Sequence, residues 1–171
     1  MKQIKHTSLF YTIVSIAIIM FYLLDSTEIL TLKIGTAHPI LLIPLLVAVS
    51  MAAREWVGLI FGCMTGFLLD ITAANTYCFN LVLFSLIGCV CGLFCSYLVN
   101  DNIYSALVLS LCSSFAYFII KWLVFFVFVG NPESLVYLVN HTLLSAIYTS
   151  LFIIPFYYII HFISKKTNYI S

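Results

Sequence analysis

Apolar residues run along this chain in six long stretches parted by short polar breaks, without the strict alternation of a strand. The stretches cover about 9–24, 39–53, 56–69, 78–99, 103–129 and 138–163. Together they predict an all-α integral membrane protein, a six-transmembrane-helix bundle forming one domain over 1–171. Long continuous runs point to helices, where a barrel would show alternating segments. The second and third stretches are short for a hydrocarbon core of ~30 Å, which takes about 20 residues. Only Arg54-Glu55 divides them, so they predict a tight hairpin. In a five-span alternative they merge or insert halfway. Pro39 opens the second span and Pro44 follows one turn later, where a missing N–H costs little. Pro155 falls mid-span in the sixth helix and predicts a kink that frees the carbonyl of Leu151.

Composition agrees with the pattern. The chain is 64% hydrophobic and 8% charged, against about 25% charged in soluble domains. That is too little charge to cover a water-facing surface. The net charge of +1 leaves no electrostatic footprint for nucleic acid. With six spans, Lys2, Lys5, Arg54, Lys165 and Lys166 collect on one side and Lys33 alone on the other. The positive-inside rule then places both termini in the cytoplasm. Asp25, Glu28, Asp70 and Glu133 face outward. Trp56, Tyr97 and Tyr104 mark the inner boundary, and Tyr77 and Tyr137 the outer one. Lys2 and Lys5 before the first run imitate a signal peptide. The run is long, however, and Asp25-Ser26-Thr27-Glu28 follows it in place of a small-residue cleavage site, so it is expected to be a retained helix.

The most informative segment is WVGLIFGCMTGFLLD. Gly58, Gly62, Gly66 and Asp70 stand at a spacing of four, on one helical face. Such a row lets a second helix come close. The fourth span carries its own row, Gly88, Gly92 and Ser96, and the second span the pair Ala48 and Ala52. The third and fourth spans are therefore expected to pack closely. Glycine is also common in membrane helices generally. Three roles are open to Asp70: marking the helix end at the water boundary, bonding the turn ITAANTY that follows, or meeting a partner protein. Lys121 is the one charge well inside a span, about eight residues or ~12 Å from its outer end. It either snorkels, pairs with Asp70 or Glu133, or serves a ligand or partner. Arg54-Glu55 reads as a cytoplasmic turn or as a contact for a cytoplasmic partner.

Catalytic chemistry finds no foothold in the sequence. His6, His38, His141 and His161 have no acid at a catalytic or metal-binding spacing. No phosphate loop or nucleophile elbow is present. The six cysteines, Cys63, Cys78, Cys89, Cys91, Cys95 and Cys112, lie in or beside apolar runs and form no Cys-x-x-Cys pair. They read as small packing residues. No enzyme activity, cofactor or metal is expected. Coupled transport would call for acids deep in the spans, and none is found there.

The stretch GLIFGCMTGFLLDITAANTYCFNLVLFSLIGCVCG resembles the core of the rod-shape-determining protein MreD family. Gly62, Gly66 and Asp70 match that family's glycine-rich third span ending in Gly-x-x-x-Asp. Pro39 matches the proline opening the preceding span, and Pro155 with Lys165-Lys166 the last helix and its basic tail. Where the family turn carries glycines, this chain has Ala74 and Cys78. Tyr148-Thr149-Ser150 stands where the family often has an asparagine. The resemblance implies a non-enzymatic scaffold of the cell-elongation machinery in the bacterial cytoplasmic membrane. It implies an MreC-like single-span partner. Through that partner come a RodA-type glycosyltransferase and a penicillin-binding transpeptidase, with an MreB-like filament on the cytoplasmic side. The implied fold is similar to the substrate-binding subunits of energy-coupling-factor vitamin transporters. Such a subunit is the alternative function. It would need polar contacts in an outward cavity and a small-residue face on the first span, where Ser15 and Ala17 do not share a spacing of four.

Overall fold

The computed structural model describes residues 2–26, 40–72, 78–97, 102–124 and 144–166. Its helices are α1 (Lys2–Ser26), α2 (Leu42–Thr72), α3 (Phe79–Tyr97), α4 (Ile103–Trp122), α5 (Leu144–Leu151) and α6 (Ile153–Lys166). Among the described residues there is no strand. The expected loops at 27–39 and 73–77 lie outside the described residues, as do the ends of spans at 98–99, 125–129 and 138–143. So do Glu28, Lys33, His38, Tyr77, Glu133, Tyr137 and His141.

Among the described residues, five stretches are long and apolar enough to cross a membrane: Leu9–Ser26, Leu42–Thr72, Phe79–Tyr97, Ile103–Trp122 and Ser145–Lys165. This is consistent with a multi-pass membrane protein. The outward faces agree. Ile60, Met64, Phe67 and Ile71 form an exposed apolar stripe on α2, and Val82, Leu86, Val90 and Phe94 another on α3. Contiguous apolar surface of this extent calls for a non-aqueous neighbour.

The single helix α2 holds both the expected second and third spans. It is not one rod. Arg54 interrupts it at φ 68° and ψ 177°. A Cβ built on Gly88 would touch both Gly58 and Leu46. Those two residues would lie ~18 Å apart along an unbroken helix. A Cβ on Gly58 would likewise stand 2.7 Å from the Oγ of Ser50. The chain therefore reverses at Arg54, and the limbs 42–53 and 55–72 run antiparallel.

The limb 42–53 forms the centre of the bundle. Leu42 through Met51 are all buried, and Ala53 with them. This limb is apolar around its whole circumference, the pattern of a helix enclosed on every side. Its helix α2 touches each of the other five described helices. Pro44 falls in its first turn, where no N–H is required. Asp25, at the end of α1, places its carboxylate against the backbone N–H groups of Leu41 and Leu42. The Ile40 N–H donates to Thr149 Oγ1 at 3.4 Å. Around this centre, α1 buries the stripe Phe10, Val14 and Ile18 among its described side chains. Phe21 meets Phe156 of α6 edge to face, with centroids 4.8 Å apart.

The helix is interrupted one turn before Pro155, within the single stretch Ser145–Lys165, where a proline is expected to disturb it. α5 ends and α6 begins around Phe152, whose N–H bonds to the carbonyl of Thr149 at 3.2 Å. Pro155 lies in the first turn of α6 and cannot donate back to Leu151, the last residue of α5.

Candidate functional site: a glycine seam and its polar end

The limb 55–72 and α3 lie against each other in antiparallel register. Gly58 faces Gly88, Gly62 faces Phe84, and Gly66 faces Asn80 and Leu81. A Cβ on Gly58 would stand 2.5 Å from the Gly88 carbonyl oxygen. On Gly66 it would stand 2.5 Å from Leu81 Cα and 2.5 Å from the Asn80 oxygen. On Gly62 it would meet the Phe84 oxygen, and on Gly92 it would stand 2.6 Å from Glu55 Cα. The obstructing atoms are backbone, which cannot rotate aside as a side chain can. At the Arg54 end, Ser96 Oγ donates to Glu55 Oε2 at 3.0 Å, and Cys95 Sγ lies 3.5 Å from the Met51 carbonyl oxygen. Thr65, buried within the seam, donates its hydroxyl to Phe61 O at 2.9 Å in its own helix.

Asp70 closes the other end. Helix α3 begins with four N–H groups lacking partners in the helix, as every helix does. Cys78 occupies its N-cap position, with its carbonyl accepting from Val82 N at 3.2 Å, but its thiol is a weak acceptor. Asp70 supplies the missing oxygens from the preceding helix. Its Oδ1 accepts from Asn80 N at 3.2 Å and from Asn80 Nδ2 at 2.9 Å. Its Oδ2 accepts from Leu81 N at 2.9 Å. A carboxylate here also faces the positive end of the α3 dipole. Of the three roles open to Asp70, the geometry gives it that of tying the hairpin together.

The polar chain continues inward. Tyr117, on α4, donates its hydroxyl to Asn80 Oδ1 at 2.9 Å. Its ring meets Phe84 edge to face at 5.4 Å. Lys121 joins here and not at Asp70: its Nζ lies 5.7 Å from the centroid of the Tyr117 ring, a cation–π contact. Asp70, Asn80, Tyr117 and Lys121 thus connect α2, α3 and α4 through one line of contacts.

Arg54 lies at the opposite end, exposed beside exposed Trp56. Its φ of 68° with ψ of 177° is a region that glycine alone enters readily, and holding another residue there costs on the order of 1–3 kcal/mol. Arg54→Gly removes that strain but loosens the unfolded chain by about 0.5–1 kcal/mol. The expected net result is a gain of roughly 1 kcal/mol in resistance to unfolding, read by denaturant titration in detergent. A loss of stability would mean that the guanidinium itself holds the turn.

Sequence reasoning singled out Asp70, Lys121 and Arg54, but missed Asn80 and Tyr117, which link the first two. Their signal was present. Asn80 is the polar residue in the first turn of its span, and Tyr117 shares a helical face with Lys121 at a spacing of four. Asp25, expected to face outward, stands at the end of α1 close to the Leu41 and Leu42 N–H groups at the start of α2. Among the described residues, no three His, Cys, Asp or Glu side chains stand together as a metal site.

Comparison with protein-family models, with curated proteins and with solved structures gives no match. Fold and site together define a helical, membrane-type bundle whose central polar groups join its own helices.

Proposed function

We propose that this protein is a non-enzymatic membrane scaffold of the bacterial cell-elongation complex, of the MreD kind. The observation that carries this reading is the job done by Gly62, Gly66 and Asp70. The same three residues that resemble the family motif form a close helix seam closed by a cap on the next helix. Cys78 adds support. It stands where the family turn has glycine, and its φ of 63° is a conformation that glycine favours.

In this reading the chain crosses the membrane six times, with the two limbs at Arg54 counted as separate short spans. The limb 42–53 needs no full bilayer length because protein surrounds it. Both termini lie in the cytoplasm by the lysine and arginine bias. The fold is of the kind used by energy-coupling-factor substrate-binding subunits, put to a structural use. The partner is an MreC-like single-span protein, which links the scaffold to a RodA-type glycosyltransferase and a penicillin-binding transpeptidase. An MreB-like filament lies on the cytoplasmic face, within reach of Arg54.

The test is purification of the tagged full chain from membranes of a rod-shaped bacterium, with mass spectrometry of what co-elutes. An MreC-like protein is expected. A bound vitamin together with an ATPase and a coupling subunit, and no cell-wall proteins, would replace this reading with the transporter one.

A further inference from the structure

Helices α3 and α4 follow one another in the chain yet barely touch along their length. Between them runs an apolar groove of about 710 Å³. Leu83, Ile87 and Phe94 line it from α3, and Val108, Cys112 and Ala116 from α4. It extends from Tyr104 to Ile120, a length of ~24 Å along a helix, most of a hydrocarbon core of ~30 Å. Tyr117 closes one end, bound to Asn80 and set edge to face against Phe84.

The groove is long and its lining almost wholly apolar, the chemistry of a hydrocarbon tail. The end at Tyr117 adds a charge. Lys121 lies one turn beyond Tyr117 on the same face of α4, with its Nζ 5.7 Å from that ring. Among the described residues no carboxylate pairs with it. A half-buried cation at the end of an apolar groove is complementary to a tail with an anionic head.

We propose that the groove between α3 and α4 seats the tail of an anionic phospholipid, with its phosphate held at Lys121. This goes beyond the scaffold reading and does not depend on it.

The test uses the purified full chain in a neutral detergent, loaded with phosphatidylglycerol or phosphatidylcholine of identical tails. Native mass spectrometry counts the lipid that stays bound. The wild type is expected to retain phosphatidylglycerol over phosphatidylcholine by roughly fivefold, the worth of one lysine near an anionic headgroup. Lys121→Gln should bring the two lipids level while still binding both, and Lys121→Arg should restore the preference. Ala116→Trp, which fills the groove, should retain neither. Circular dichroism and the thermal midpoint of each variant identify any that fails to fold. Three results would overturn the proposal: equal retention by the wild type, a preference that survives Lys121→Gln, or unchanged lipid binding in a folded Ala116→Trp. A polypeptide cross-linked to Cys112 in lipid-free protein would overturn it too, by showing that the groove belongs to a protein partner.

Discussion

Gly66→Ala destabilises the bundle, although alanine is the better helix former. In a helix interior the exchange gains about 1 kcal/mol from propensity. Here the added carbon would stand 2.5 Å from Leu81 Cα and 2.5 Å from the Asn80 carbonyl oxygen. Overpacking of this kind costs typically about 1–3 kcal/mol, and more where the neighbours cannot move. The neighbours are backbone atoms of α3, held in place by Asp70 one turn further on. The clash outweighs the propensity, and the expected net loss is about 2 kcal/mol. Gly62→Ala should behave alike. Phe67→Leu, on the exposed face of the same helix, is the control, with a change within about 0.5 kcal/mol. Unfolding in mixed detergent micelles measures all three. A stabilised Gly66→Ala would mean that the two helices separate more readily than their register implies.

Asp70→Ala is the second large effect. It removes the acceptor for Asn80 N, Asn80 Nδ2 and Leu81 N together. Loss of a helix cap costs about 0.5–2 kcal/mol, and leaving a buried amide unsatisfied about 1–3 kcal/mol. The sum overlaps, since Asn80 enters both, so a loss of about 2–4 kcal/mol is expected. Tyr117→Phe should cost about 1 kcal/mol by itself. Because both act on Asn80, the double variant should show coupling of at least ~0.5 kcal/mol. If Asp70 served only a partner protein, the isolated Asp70→Ala protein would unfold like the wild type and would lose only the co-eluting partner. The measurement therefore separates the structural role from the partner role.

The glycine rows were legible because a spacing of four fixes a helical face whatever surrounds it. That the two rows meet was expected, but which residue of one faces which of the other was seen only in the structure. Arg54 was legible as a turn but not as a backbone outlier. Arginine carries no signal for positive φ, and the reversal shows only in the contacts between the two limbs, as where Gly58 meets Ser50. The centrality of 42–53 was ambiguous for a related reason. LIPLLVAVSMAA is apolar all round, and such a run suits lipid as well as a protein interior. The line from Asp70 to Lys121 was half legible. Its ends are charges, which stand out in an apolar chain, but its middle depends on where α4 crosses α3. No local pattern encodes that crossing. The groove was hidden for the same reason, since it is a property of the space between two helices.

The buried limb 42–53 has a consequence for biosynthesis. It leaves the ribosome second, yet part of its enclosure comes from the far end of the chain. The Ile40 N–H reaches Thr149, 109 residues later, and α2 is also packed against α6. Order of synthesis and order of closure are therefore opposed. Gly58 and Gly88 cover Ser50 and Leu46 from earlier segments, but the side facing the last helices closes only when they are made, so the C-terminal helices act as the latch on a centre begun long before them.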